Sequence, residues 1–82
     1  MNLYWLSFVD PARTVGHRFL GACLVEAASM EGAVFVSHML GVNPGGEIAI
    51  WEYPEGVTAG NYPVGVLLSK AEIDRLDRDT GR

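Results

Sequence analysis

One cysteine, Cys23, occurs in 82 residues. A single thiol closes no intramolecular disulfide and builds no Cys-rich zinc site, so small bridge-stapled secreted scaffolds are excluded and the reducing cytoplasm is the expected location. Long apolar runs are also missing. Nothing approaches the ~20 residues that cross a bilayer, and MNLYWLSFVD has neither the basic segment nor the apolar stretch of a secretory signal. No membrane partner is expected. Positive charge is scarce: six Lys and Arg against ten Asp and Glu leave −4, and no Lys or Arg falls between residues 19 and 69. Nonspecific binding to duplex nucleic acid needs a row of cations that displaces condensed counterions, so no nucleic-acid partner is expected. The two histidines, His17 and His38, have no Cys or His at ligand spacing, so no metal and no cofactor is expected. Asp10 with His17 is a formal acid/base pair, yet no nucleophile or oxyanion motif accompanies it, and the chain does not read as an enzyme.

What is present is apolar surface. Residues AVILMFWYC make up 49% and charged residues 20%, which excludes intrinsic disorder and predicts one folded domain over 1–78 with a frayed tail at 79–82. So small a domain buries a modest share of its surface, so surplus apolar residues point to a core completed by a second copy or a partner.

The predicted class is α+β, a single β-β-α-β domain with a short C-terminal helix. LYWLSFV at 3–9 reads as a strand covered on both faces, ending at the turn pair Asp10-Pro11. FLGACLVE at 19–26 reads as a second strand, with Phe19, Gly21, Cys23 and Val25 on one face and Leu20, Ala22 and Leu24 on the other. Gly21 marks a bulge or a close backbone approach. The period then changes. Ser29 suits an N-cap, Glu31 the first turn and Gly41 a left-handed C-cap, predicting a helix over 29–40. Its apolar character spreads well beyond the face Ala27, Met30, Ala33, Val34 and Ser37, and Gly32 suggests close approach of another helix. EIAIWEY forms a third strand with Ile48 and Ile50 opposite Ala49, Trp51 and Tyr53, and the strand–helix–strand order predicts strands two and three parallel in one sheet. PEGVTAGNYPVG reads as a surface loop, and Ser69-Lys70-Ala71-Glu72 as a capping box opening the last helix.

The string VEAASMEGAVFVSHMLGVNPGGEIAIWEYP, preceded by YWLSFVDP and followed by LLSKAEID, resembles a group of short bacteriophage and bacterial proteins. They share a strand ending in V-E-A, a helix opening with Ser and an acidic residue, an L-G-x-N-P-G-G-E loop and a Trp-containing strand. The resemblance covers most of the chain. It implies an α+β domain and a phage or prophage context, and brings no activity with it.

Three groups of residues are candidates for binding. Asn43, Gly45 and Gly46 lie in NPGGE, where successive glycines can turn backbone N–H groups into an anion-holding nest; the competing reading is a type II turn at Pro44-Gly45. Arg13, His17 and Arg18 form a basic cluster in the first loop, suited to phosphate or carboxylate or serving as solvated charge. Trp51 and Tyr62 can stack on a planar ligand, although aromatic residues pack more often than they bind. Whether the two loops share an edge depends on strand order. The first expectation is therefore a noncatalytic phage-type accessory protein that binds, or sequesters, a small anionic nucleotide-like ligand such as a host defence signal. The alternative is a protein-interaction module that inhibits a host or phage protein. Either form is expected to be a homo-oligomer through helix 29–40 or a sheet edge.

Overall fold

A computed structural model describes residues 1–57, 60 and 62–80. Its elements are β1 (Asn2–Val9), β2 (Phe19–Ala27), α1 (Met30–Met39), β3 (Glu47–Glu52) and α2 (Lys70–Thr80). The predicted α+β class is what forms. The sheet has the order β2-β1-β3 with both pairings antiparallel. Since β2 and β3 both oppose β1, they run in the same direction, as the crossover through α1 requires, but β1 lies between them. The central position pairs both edges of β1, but its faces are unequal. Tyr4, Leu6 and Phe8 are buried, whereas Leu3, Trp5, Ser7 and Val9 are only half-buried, so the expected cover on both faces is complete on one.

On the first face Tyr4, Leu6 and Phe8 of β1 meet Val25, Cys23 and Gly21 of β2. Ile50 and Ile48 of β3 flank Leu6 and Phe8 on the other side. α1 covers this face, chiefly over β2, with Ala33 and Ser37 turned inward. Tyr4, Leu6, Phe8, Cys23, Val25, Ala27, Ala33 and Val42 make the core, and each large buried side chain contributes about 1.5–3 kcal/mol.

Strict alternation fails at one place. The register shifts between Phe8 and Val9, so Phe8 faces Gly21 but Val9 faces Phe19. One extra residue, Leu20, is thereby accommodated, and Phe19 moves off the Gly21–Cys23–Val25 face onto the second face, where it lines a cleft with Trp5 and Ser7. The expected grouping of Phe19 with Gly21 is therefore corrected, while Gly21 itself sits at the bulge. A Cβ on Gly21 would stand 2.9 Å from Leu67 Cδ1, so it also allows a close approach.

That approach comes from the segment read as loop. Val64 bridges to Leu24 and Leu68 to Ala22, with Ala22 N–H donating to Leu68 O at 3.0 Å and Leu68 N–H to Ala22 O at 2.7 Å. Residues 64–68 thus cover the outer edge of β2. Thr58, Ala59 and Asn61 of the same loop lie outside the described residues, as do Gly81 and Arg82; of the tail 79–82 expected to fray, Asp79 and Thr80 instead complete α2.

Both helices open as their sequences dictate. Ser29 Oγ accepts the Gly32 N–H at 3.0 Å, and Gly41 follows the helix end with φ +73°. The space a Cβ would take on Gly32 is bordered by Ser29 Oγ at 3.2 Å and Ala27 Cβ at 3.6 Å. Within the chain, Gly32 accommodates its own N-cap. At α2, Glu72 N–H donates to Ser69 Oγ at 3.2 Å and Ser69 N–H to Glu72 Oε1 at 2.8 Å, closing the capping box. The Ser69 hydrogen bonds hold the Glu72 carboxyl below its ordinary range.

Cys23 is fully buried in the core, and desolvation pushes its thiol up from 9.0 to about 11. An acid whose pKa is raised by folding adds stability below its unfolded pKa. That contribution declines as pH rises from 9.0 through about 11. Cys23→Ala is therefore expected to flatten the fall of unfolding free energy over this window, measured by urea denaturation at stepped pH. An unchanged slope would mean that the thiol is hydrated.

Candidate functional site

The strand order resolves where the two candidate loops sit. Val9, the last residue of β1, has Phe19 on one side and Glu47 on the other. The loop 10–18 leaves this end of the sheet and the loop 41–46 enters it, so the two loops do share an edge. A Cβ on Gly46 would overlap the Val9 carbonyl oxygen and stand 3.1 Å from Leu20 Cδ1, which places that glycine hard against the sheet.

Several polar groups of both loops are engaged in bonds within the loops or to α1. Asp10 N–H donates to Arg18 O at 2.8 Å and Ala12 N–H to Asp10 Oδ1 at 3.0 Å. Arg18 Nε donates to Arg13 O at 2.8 Å, so Arg18 staples the loop it belongs to. Arg13 Nε lies 3.6 Å from Asp10 Oδ2, an exposed ion pair of little energetic weight. Arg13 and His17 line a shallow cleft with Leu20, Ser69 and Lys70. Lys70, which spacing in the sequence does not connect with the first loop, arrives there from the start of α2.

Asn43 is occupied from both ends. Its Nδ2 donates to Ser37 Oγ at 3.0 Å and lies 3.3 Å from His38 Nε2, while its Oδ1 accepts the Gly45 N–H at 2.8 Å. The fully buried Ser37 hydroxyl in turn donates to Val34 O at 2.6 Å. The string thus ties the end of α1 to the start of β3. Gly45 and Gly46 both have positive φ, +89° and +80°, and Gly45 supplies the conformation a type II turn needs at its third residue. A nest needs alternating backbone signs and free converging N–H groups; here the signs repeat and the Gly45 N–H is used.

The aromatic candidates sit elsewhere. Trp51 is directly opposite Trp5 on the second face, and Tyr62 packs on Trp5. From Val9 to Trp5 is four residues along β1, about 13 Å at the usual rise. The eight candidate residues therefore fall into two separate places: the cleft at Arg13 and His17 is not lined by the aromatic candidates, and the one at Trp51 and Tyr62 is not lined by residues of either loop. A further concavity lies at the other end of the sheet, against Leu3, Glu26, Tyr53, Glu55 and Val57.

Two exposed features lie in the regions through which the sequence predicts association, helix 29–40 and a sheet edge. Phe35 and Met39, one turn apart on the outward side of α1, are 63% and 69% exposed, and Leu40 is 54% exposed. The outer edge of β3 is unpaired among the described residues. Tyr53 N–H donates to Leu3 O, so by alternation the backbone groups of Ile48, Ile50 and Glu52 point away from the sheet. Among the described residues no group of three His, Cys, Asp or Glu side chains is gathered as a metal ion would require, and no helix is long and apolar enough to cross a membrane. Comparison with protein-family models, curated proteins and solved structures finds no match to this chain.

Proposed function

We infer that this protein is a noncatalytic protein-interaction module that docks through the outward side of α1, with a second copy of the chain as the first occupant. The observation that carries the reading is the exposure of Phe35 and Met39 at i, i+4 spacing on a helix whose other side is already packed on the sheet. Water-exposed apolar side chains so placed gain free energy when a partner covers them, at roughly 25 cal/mol per Å². A two-fold axis through α1 would set each Phe35–Met39 pair against its equivalent. Sedimentation equilibrium from micromolar to submillimolar concentration tests this. The parent chain is expected to associate, and Phe35→Glu with Met39→Glu to be monomeric with an unchanged far-UV spectrum. A parent that stays monomeric throughout, or a double variant that still associates, would overturn the α1 contact.

A second reading, capture of a small anionic nucleotide-like ligand in the phage context implied by the resemblance, has one observation in its favour. The two loops converge at Val9, and Arg13, His17 and Lys70 border one cleft there. Guanidinium and ammonium groups on one rim suit a phosphate. Native mass spectrometry with added nucleotides is expected to show a complex that Arg13→Glu with Lys70→Glu abolishes. Retention of the complex in that variant would remove the cleft from consideration.

A further inference from the structure

The face of the sheet opposite α1 carries four aromatic rings on one shallow concavity: Trp5 of β1, Trp51 at the end of β3, and Tyr53 and Tyr62 beyond it. Both pairings within the group are edge-to-face. Trp51 and Tyr53 have centroids 4.7 Å apart with planes at 61°, and Trp5 and Tyr62 have centroids 5.4 Å apart with planes at 72°. In each pair the edge of one ring meets the face of the other, and the four rings together line one concavity. α2 does not close it. Lys70, Ile73 and Asp74 border Trp5, Ser7 and Phe19 on the β2 side, and Trp51 remains 54% exposed.

Charge near these rings comes from α2, which carries Asp74 and Asp77 together with Lys70, Arg75 and Arg78, and the group in direct contact with a ring hydroxyl is a carboxylate. The Tyr62 hydroxyl donates to the Asp77 carboxylate. A phenol that gives its proton to an anion gains electron density, which makes its π face a better acceptor for positive charge. Asp74 stands next to Trp5, where it is paired with Lys70 at 3.2 Å. Arg13 and Arg18 belong to the loop at the far end of β1. Trp51 and Tyr62, which the sequence suggests for stacking on a planar ligand, therefore belong to a group of four rings with a carboxylate bonded to one of them, a combination that suits a cation.

We propose that Trp5, Trp51, Tyr53 and Tyr62 form a binding site for an organic cation, an alkylammonium or guanidinium group carried by a small molecule or by a side chain of a peptide. The site is on the opposite face of the sheet from Phe35 and Met39 and does not depend on the α1 reading. Aromatic faces and an adjacent carboxylate recognise such a group without a buried counter-ion, because the ligand keeps part of its hydration at an open site.

Both tryptophans of the chain lie in the site, so intrinsic fluorescence reads it directly. Tetramethylammonium chloride is expected to change the emission saturably, where sodium chloride of equal ionic strength and tert-butanol, a neutral group of the same shape, do not. Trp51→Ala, with Trp5 left as the reporter, is expected to weaken the cation at least tenfold. Tyr62→Phe, which keeps the ring but releases Asp77, is expected to weaken it severalfold. A trimethyllysine peptide that binds tenfold more tightly than the free ion assigns the site to a protein side chain; equal affinity assigns it to a small molecule. Equal responses to tetramethylammonium and tert-butanol, parental affinity in both variants, or displacement of the cation by adenosine monophosphate would overturn the proposal.

Discussion

Gly46→Ala is expected to destabilise the fold by about 3 kcal/mol or more, while Gly45→Ala one position earlier costs about 1 kcal/mol. The two glycines share a positive φ, so both substitutions carry the strain of a left-handed L residue, about 1–2 kcal/mol. They differ in what surrounds them. An added Cβ on Gly45 meets nothing within 4 Å, whereas on Gly46 it overlaps the Val9 carbonyl oxygen. A backbone atom of the central strand moves aside only if the β1–β3 pairing at Val9 and Glu47 opens. Three kilocalories are a large fraction of the net stability of a small domain, typically about 5–10 kcal/mol. Urea denaturation followed by tryptophan fluorescence measures both variants. Equal, small losses would mean that Gly46 does not press on the sheet, and would return the glycine pair to consideration as a loop free to receive a ligand.

The elements were legible because their signals are local. Ser29, Gly41 and the Ser69–Glu72 box set helix ends within a few residues of chain, and the alternation of Ile48, Ile50 against Ala49, Trp51 survives intact in β3. What was not legible depends on pairing at a distance. Phe19 changes face because of a single unpaired residue at a bulge, and one such residue reverses every assignment on its far side. Residues 64–68 join β2 by bridges around Pro63 and Gly65, too short and interrupted to show a period. The site follows the same rule. NPGG announces a turn, but its spacing says nothing of whether Asn43 points to solvent or to Ser37. Trp5 and Trp51 are 46 positions apart (51 − 5), so their meeting awaits the strand order and register.

Asn43→Ala is expected to cost about 2–3 kcal/mol, from two lost hydrogen bonds of which one ends on a buried hydroxyl. Without Nδ2 the Ser37 oxygen keeps its bond to Val34 O but loses its donor partner, and without Oδ1 the Gly45 N–H loses the acceptor that fixes the turn. Asn43→Asp separates the two contributions. A carboxylate still accepts from Gly45, but it donates nothing to Ser37 and places negative charge near the C-terminal end of α1, where the helix dipole is itself negative. Both effects disfavour the ionised form, whereas His38 Nε2, 3.3 Å from Asn43 Nδ2, favours it once protonated. With His38→Ala as the common background that cation is removed and the two unfavourable effects stand against the single Gly45 N–H. Folding is then expected to raise the pKa of the introduced carboxyl above its ordinary value of about 3.9. The sign follows: the variant is nearer the parent in stability below pH ~4, where a protonated carboxyl can donate as Nδ2 does, and it loses that stability as pH rises through the raised folded value. Comparing urea midpoints of parent and variant, both carrying His38→Ala, from pH 3 to pH 7, about one unit below that reference to well above it, reads the effect. If Asn43 instead served a ligand from a solvated position, both substitutions would leave the midpoints at the parental value across that range and alter binding alone.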